Sequence, residues 1–163
     1  MAHFAELKVK TDPTGFTSDA HQVVERVVVV GNDVATSDGP LGVNDMHVDG
    51  EQWCIDFFKG GIWKQTSYNG SFRKSYAGPG MVYDQSKDKF LSAQPHASWT
   101  LDENDDWQAP VAIPKQFLGS DPTLDNVYIE SSWDEDNQRW IGLQQETSTD
   151  YIWNPSSSEW EVE

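Results

Sequence analysis

Apolar and polar positions change rhythm several times along this chain, and each change marks an element. HFAELKV (3–9) alternates at the two-residue period of a half-buried strand. QVVERVVVV (22–30) is the strongest strand signal, and its near-continuous valines predict burial on both faces toward the C-terminal end. Asp12-Pro13-Thr14-Gly15 is turn chemistry, so these strands are expected to pair as a hairpin across the 12–20 loop. The polar run 31–45 reads as loop. In EQWCIDFF (51–58), Trp53, Cys54, Phe57 and Phe58 fall at helical spacing, with Asp49 and Glu51 in front and Gly60-Gly61 behind. The segment can be read as strand or helix; the favoured reading is a short amphipathic helix packed on the sheet.

Residues 57–83 form the longest stretch without an acidic side chain and hold Lys59, Lys64, Arg73 and Lys74. Asn69-Gly70 sits between two segments of aromatic and polar β formers, the signal for a hairpin with a two-residue turn. That register would oppose Trp63 to Tyr76 on one face and send Lys64, Thr66 and Arg73 to the other. Gly60-Gly61 and Gly78-Pro79-Gly80 would bound it.

From residue 83 a design repeats: aromatic, polar turn, aromatic. It appears as Tyr83…Phe90, Trp99…Trp107, Trp133…Trp140 and Trp153…Trp160, with spacings of 7, 8, 7 and 7. Spacing 7 puts the two rings directly opposite across a two-residue turn, at Asp136-Asn137 and at Ser156-Ser157. Spacing 8 demands an odd loop or a bulge, so the 99–107 unit should differ in its turn. Each such hairpin is marginal alone and must lean on its domain or another chain. The 110–122 segment, with three prolines, reads as an extended connector and soft boundary. The fold expected is mainly β: a small antiparallel β domain with one short helix (1–98), followed by aromatic-clasped β-hairpin units in an acidic extension (99–163).

Composition agrees with β structure, since Leu is sparse while Val, aromatics and turn residues abound. Formal charge is −16, and the chain from Trp99 onward carries fifteen acids against only Lys115 and Arg139. So acidic a surface argues against nucleic acid as the main partner, because phosphate binding needs basic groups. The single Cys54 excludes an intrachain disulfide and reads as a small buried apolar residue. The N-terminus lacks a secretory apolar run, and nowhere do eighteen apolar residues adjoin. Synthesis in the cytoplasm without a membrane span is expected.

Candidate chemistry is thin. His3, His21, His47 and His96 are far apart and form no metal-binding spacing, and no nucleophile or phosphate-loop motif occurs. Asp102-Glu-Asn104-Asp-Asp106 has the opening rhythm of a calcium loop, but Trp107 stands where Gly is needed and Ile113 where the bidentate Glu belongs. No catalytic residue, metal or cofactor is expected. Two constellations are left. The basic stretch, with Trp63, Lys64, Tyr68, Arg73, Lys74 and Tyr76, could meet a partner's acids. The Trp133, Trp140, Trp153 and Trp160 units could form a second contact, stack on sugars, or simply cover one another. The last is the simplest explanation of their spacing.

MAHFA at the start, QVVERVVVVGNDV, GGIWKQTSYNGSFRKSYAGPGMVYD and the closing WDEDNQRW and WNPSSSEWEVE units resemble a group of small proteins of marine tailed bacteriophages, especially phages of cyanobacteria. The departures from that pattern are Pro79, an enlarged N-terminal loop and an extra segment before Trp133. The resemblance implies a phage product located in the virion and carries no catalytic residues with it. The expectation is a non-enzymatic virion structural protein, a capsid decoration or accessory subunit, whose partners are other virion proteins or further copies of itself. The alternative is a tail-fibre module that binds host glycan or receptor.

Overall fold

The computed structural model describes residues 1–16, 19–37, 39–41, 48–118 and 127–163. It is mostly β structure with one short helix and curled antiparallel sheets, arranged as two compact units, Met1–Ala93 and Gln94–Glu163.

In the first unit β1 (Ala2–Thr11) pairs antiparallel with β2 (Ala20–Val30). The register slips between Glu6 and Leu7, so Glu25 is left over as a bulge between Arg26 and Val24. Within the 31–45 run, β3 (Ala35–Thr36) and β4 (Gly39–Pro40) form a minimal ribbon. Helix α1 (Val48–Phe58) follows. Lys59 ends it in left-handed backbone (φ +63), and Gly60 donates back to the Ile55 carbonyl at 2.8 Å. Next come β5 (Ile62–Thr66), β6 (Val82–Asp84) and β7 (Lys89–Leu91), giving a five-stranded sheet in the order β5-β1-β2-β6-β7. One face packs Ala2, Phe4, Val30 and Trp63 against Cys54 of α1 and against Leu41. Gly50 is where the helix crosses Phe4, and a Cβ there would lie 2.4 Å from the Phe4 ring. The other face packs Ala5, Leu7 and Val24 against Ala77, Tyr83 and Phe90.

Two expectations for this unit are corrected. The valines of β2 are not buried on both faces at the C-terminal end: Val29 is 53% exposed. The reason is that β6 is only three residues long and lies against Gln22 and Val23, leaving the far end of β2 without that neighbour. Nor is there an Asn-Gly hairpin. Gly70 donates to the Ser67 carbonyl at 3.1 Å, making Tyr68 and Asn69 the central residues, and Gly70 (φ +65) takes left-handed backbone while Asn69 does not. The Ser67 hydroxyl accepts the Ser71 N–H at 2.9 Å, and Arg73 (φ +54) and Lys74 (φ +63) bend the chain away. β5 therefore pairs with β1, placing Trp63 opposite Glu6 instead of Tyr76.

In the second unit β8 (Thr100–Leu101) and β9 (Trp107–Gln108) make a small hairpin. Its loop is odd, five residues from 102 to 106, and Leu101 faces Trp107, so Trp99 and Trp107 are not opposed. β10 (Glu130–Asp134), β11 (Arg139–Gln144), β12 (Thr149–Asn154) and β13 (Glu159–Val162) form one continuous meander. The Trp133 and Trp153 units are thus its first and last hairpins, joined by a β11–β12 hairpin that lacks an aromatic pair. Its turns are not two-residue ones either. Residues 135–138, 145–148 and 155–158 each form a four-residue loop whose last member, Gln138, Ser148 or Ser158, has φ near +50. Both loop lengths are even, so Trp133 still lies across from Trp140 and Trp153 from Trp160. The described part of the proline segment, 110–118, lies inside this unit: Val111 and Leu118 pack on its core. Residues 119–122 and His47 fall outside the described residues.

Candidate functional site

The basic stretch is largely spent inside its own unit. β5 is an edge strand, and the backbone groups of Gln65 that face away from β1 need partners. Glu51, 8% exposed, reaches from α1 to accept the Gln65 N–H at 2.9 Å. Arg73 donates to the Gln65 carbonyl at 2.7 Å, to Glu51 at 2.8 Å and to Asp88 at 2.7 Å. Tyr83 donates its hydroxyl to Asp88 as well, and Lys64 stands 3.3 Å from Glu51. The Arg73 carbonyl accepts the Phe90 N–H of β7 at 3.0 Å. β5 and β7 are the two ends of the sheet, so a single residue closes the curl by touching both.

Electrostatics follow from this arrangement. Burial works against the Arg73 charge, but Glu51 and Asp88 outweigh it and raise its pKa. Burial likewise works against the Asp88 carboxylate, and the Tyr83 hydroxyl and Arg73 overcome it, leaving Asp88 below the usual range. Tyr83 is pushed up by burial and by Asp88. Burial, with Glu51 nearby, lifts the Cys54 thiol to about 12, so it is inert at neutral pH. The expected exposed basic face is thus corrected for Arg73, whose side chain is 7% exposed, and Trp63 is 2% exposed against Phe58. Lys64 and Lys74 are half-buried.

Tyr68 and Tyr76 behave differently. Tyr68 is 71% exposed and Tyr76 37%. Their rings lie 5.5 Å apart, and both touch His3: Tyr68 stacks on it at 5.6 Å and Tyr76 meets it edge-on at 5.5 Å. His3 has a lowered pKa, from burial first and the nearby N-terminal amine second, so at neutral pH its ring adds little charge. Exposed Val29 lies directly across from His3 on β2. Beside Tyr68 is a cleft of about 200 Å³ to which Gln65, Ser67, Asn69 and Ser71 contribute, and no Asp, Glu, Lys or Arg lines it. On a chain of charge −16 this is a ring-bearing surface without acidic or basic side chains, with the Met1 amine at its border. The Tyr positions were visible in the sequence, but His3 was missed. Only the β1–β5 register, which puts His3 opposite Thr66, brings it to them.

In the second unit the expected contact residues are mostly interior. Trp133, Trp140 and Trp160 are 8%, 6% and 6% exposed, and Trp153 is half-buried. Each pair has ring centroids 5.3 Å apart. Trp140 and Trp160 donate their indole N–H groups to the carbonyls of Val111 and Lys115 at 2.9 and 2.8 Å. Trp133 donates to Glu135, which also takes the Ser98 hydroxyl and N–H. The row of rings thus anchors the 94–118 segment to the meander.

Among the described residues no three metal-binding side chains converge, and no helix is long and apolar enough to cross a membrane. Fold and surface together define a mainly β protein with an exposed aromatic patch. In comparisons with known proteins, no family model, curated protein or solved structure matches the chain.

Proposed function

We propose that the protein is a non-enzymatic virion structural subunit, a capsid decoration or accessory protein that binds other virion proteins through the His3–Tyr68–Tyr76 surface. The observation that carries the docking part is the set of three touching rings, two of them exposed, beside a cleft lined by no Asp, Glu, Lys or Arg on an acidic protein. Interface centres are depleted in charge and enriched in Tyr, which offers a large contact area at small entropic cost. The phage resemblance of the sequence supports the virion part. In this reading each Trp pair clasps its own hairpin and serves the sheet, while Tyr68 and Tyr76 serve the partner. Mass spectrometry of purified particles should find the protein in many copies. Tyr68→Ala should lower its incorporation by about tenfold or more, as loss of a binding hot spot does. Particles without the wild-type protein would overturn the proposal.

A second reading, a glycan- or receptor-binding module at a tail fibre, is favoured by the cleft beside Tyr68. An exposed ring next to amides and hydroxyls suits a sugar with one apolar face. Glycan-array binding that disappears in Tyr68→Ala, with unchanged incorporation into particles, would decide for it.

A further inference from the structure

The two larger sheets have four terminal strands; partners reach the edge of two of them and the chain just before a third. The edge of β5 is taken by Glu51 and Arg73, and that of β7 receives the Arg73 carbonyl. The chain entering β10 is flanked by 116–118: Leu118 donates to Val127, Ile129 donates to Gln116, and Phe117 bridges Tyr128. β13 differs. Among the described residues no strand pairs with its outer side.

The direction of its backbone groups follows from the ladder. Glu163 donates to the Asp150 carbonyl, so by alternation Glu159, Glu161 and Glu163 turn their backbone groups toward β12. Trp160 and Val162 turn theirs to the open edge. The side chains of Glu159, Glu161 and Glu163 share the face opposite Trp160, at the two-residue spacing of a strand. Glu159 meets Lys115 at 3.1 Å, Glu163 meets Arg139 at 3.1 Å, and Glu161 accepts from Asn154 at 2.7 Å. These surface pairs are weak, and the Glu159 and Glu163 side chains are still 43% and 53% exposed.

We propose that the outer edge of β13 accepts an extended segment of a partner protein as an added strand, and that this segment carries Lys or Arg at alternate positions. Backbone bonds to Trp160 and Val162 supply the pairing, and the row of three carboxylates selects the side chains. The same row works against a second copy of this chain: antiparallel pairing of β13 with itself would bring carboxylates face to face, which destabilises a sheet.

The test uses the full-length protein and two synthetic octapeptides of identical composition. One alternates Lys with Val, and the other groups its lysines at one end. Titration calorimetry should show the alternating peptide binding about tenfold or more tightly than the grouped one, with the preference shrinking as salt rises. Val162→Pro removes an outward N–H without touching the β12 ladder, and proline is tolerated on such an edge. It should abolish the preference, and Glu161→Lys should weaken both the preference and its salt dependence, while circular dichroism stays that of the parent. Equal binding of the two peptides, no binding of either, or a preference untouched by Val162→Pro would overturn the proposal. So would a concentration-dependent dimer that Val162→Pro dissolves, since that makes the occupant a second copy.

Discussion

The two compact units are held by different physics, and the difference shows in the distances along the chain that each must bridge. Met1–Ala93 is closed by a charged residue whose partners, Glu51, Gln65, Asp88 and Phe90, come from four separate elements or turns. Gln94–Glu163 is a meander whose turns recur every ten residues and whose rings pair across single hairpins. One fold depends on a buried ion cluster that is costly to break. The other depends on repeated local packing.

Removing the centre of each should separate the two cases. Arg73→Met leaves the Gln65 carbonyl buried without its donor and Glu51 with only the Gln65 N–H and Lys64, and should cost about 3–5 kcal/mol. Hydrogen exchange should show β5 and β7 losing protection first. Replacing Arg73 and Glu51 together by Met should cost less than the single change, because no uncompensated buried charge is left. In the meander Trp140→Ala should cost a similar amount, about 3–5 kcal/mol, through the cavity it opens. Trp140→Phe keeps most of the packing and loses the bond to Val111, so about 0.5–1.5 kcal/mol is expected in a urea titration.

Smaller effects sharpen the contrast. The folded-state pKa of Asp88 is depressed, so its stabilisation is present above the unfolded value of about 3.9 and is lost as pH falls through the lower folded value. Asp88→Asn, which tolerates the left-handed backbone there (φ +50), should remove that acid-dependent part. The side chain is 42% exposed, so at neutral pH the loss should stay below about 1 kcal/mol. Parallel acid titrations of the two proteins would read it. The smallest effect belongs to Asn69→Ala. With Gly70 alone in left-handed backbone, it should change stability by no more than about 0.5 kcal/mol. A two-residue turn with both central residues at positive φ would make it far costlier.

The second unit was more legible in the sequence than the first, for a physical reason. Opposed rings at a spacing of seven are a local geometric fact, and an even loop preserves it whether two residues or four make the turn. The loops were misjudged because side-chain caps settle them: Asp134 and Asn154 accept the N–H groups of Asn137 and Ser156, a bond that the four-residue loop allows. The helix, favoured over strand for 51–58 and found over 48–58, and the β1–β2 pairing were legible from periodicity. The basic stretch misled because Asn-Gly is a strong local signal, and nothing local shows that Arg73 will be claimed by Glu51 and Asp88. Of the candidate surface, Tyr68 and Tyr76 could be named in advance. Their partner His3, more than sixty residues earlier, depends on a strand pairing that had not been expected.

Hydroxyl-radical footprinting of the protein, free and in the particles proposed to carry it, tests the proposed docking role of the aromatic patch most directly. In the free chain Tyr68 should be oxidised readily and Trp140 hardly at all. On the particle Tyr68 and Tyr76 should become protected while Trp140 stays as it was. A Tyr68 that reacts equally in both settings would contradict the assignment of this surface to a partner.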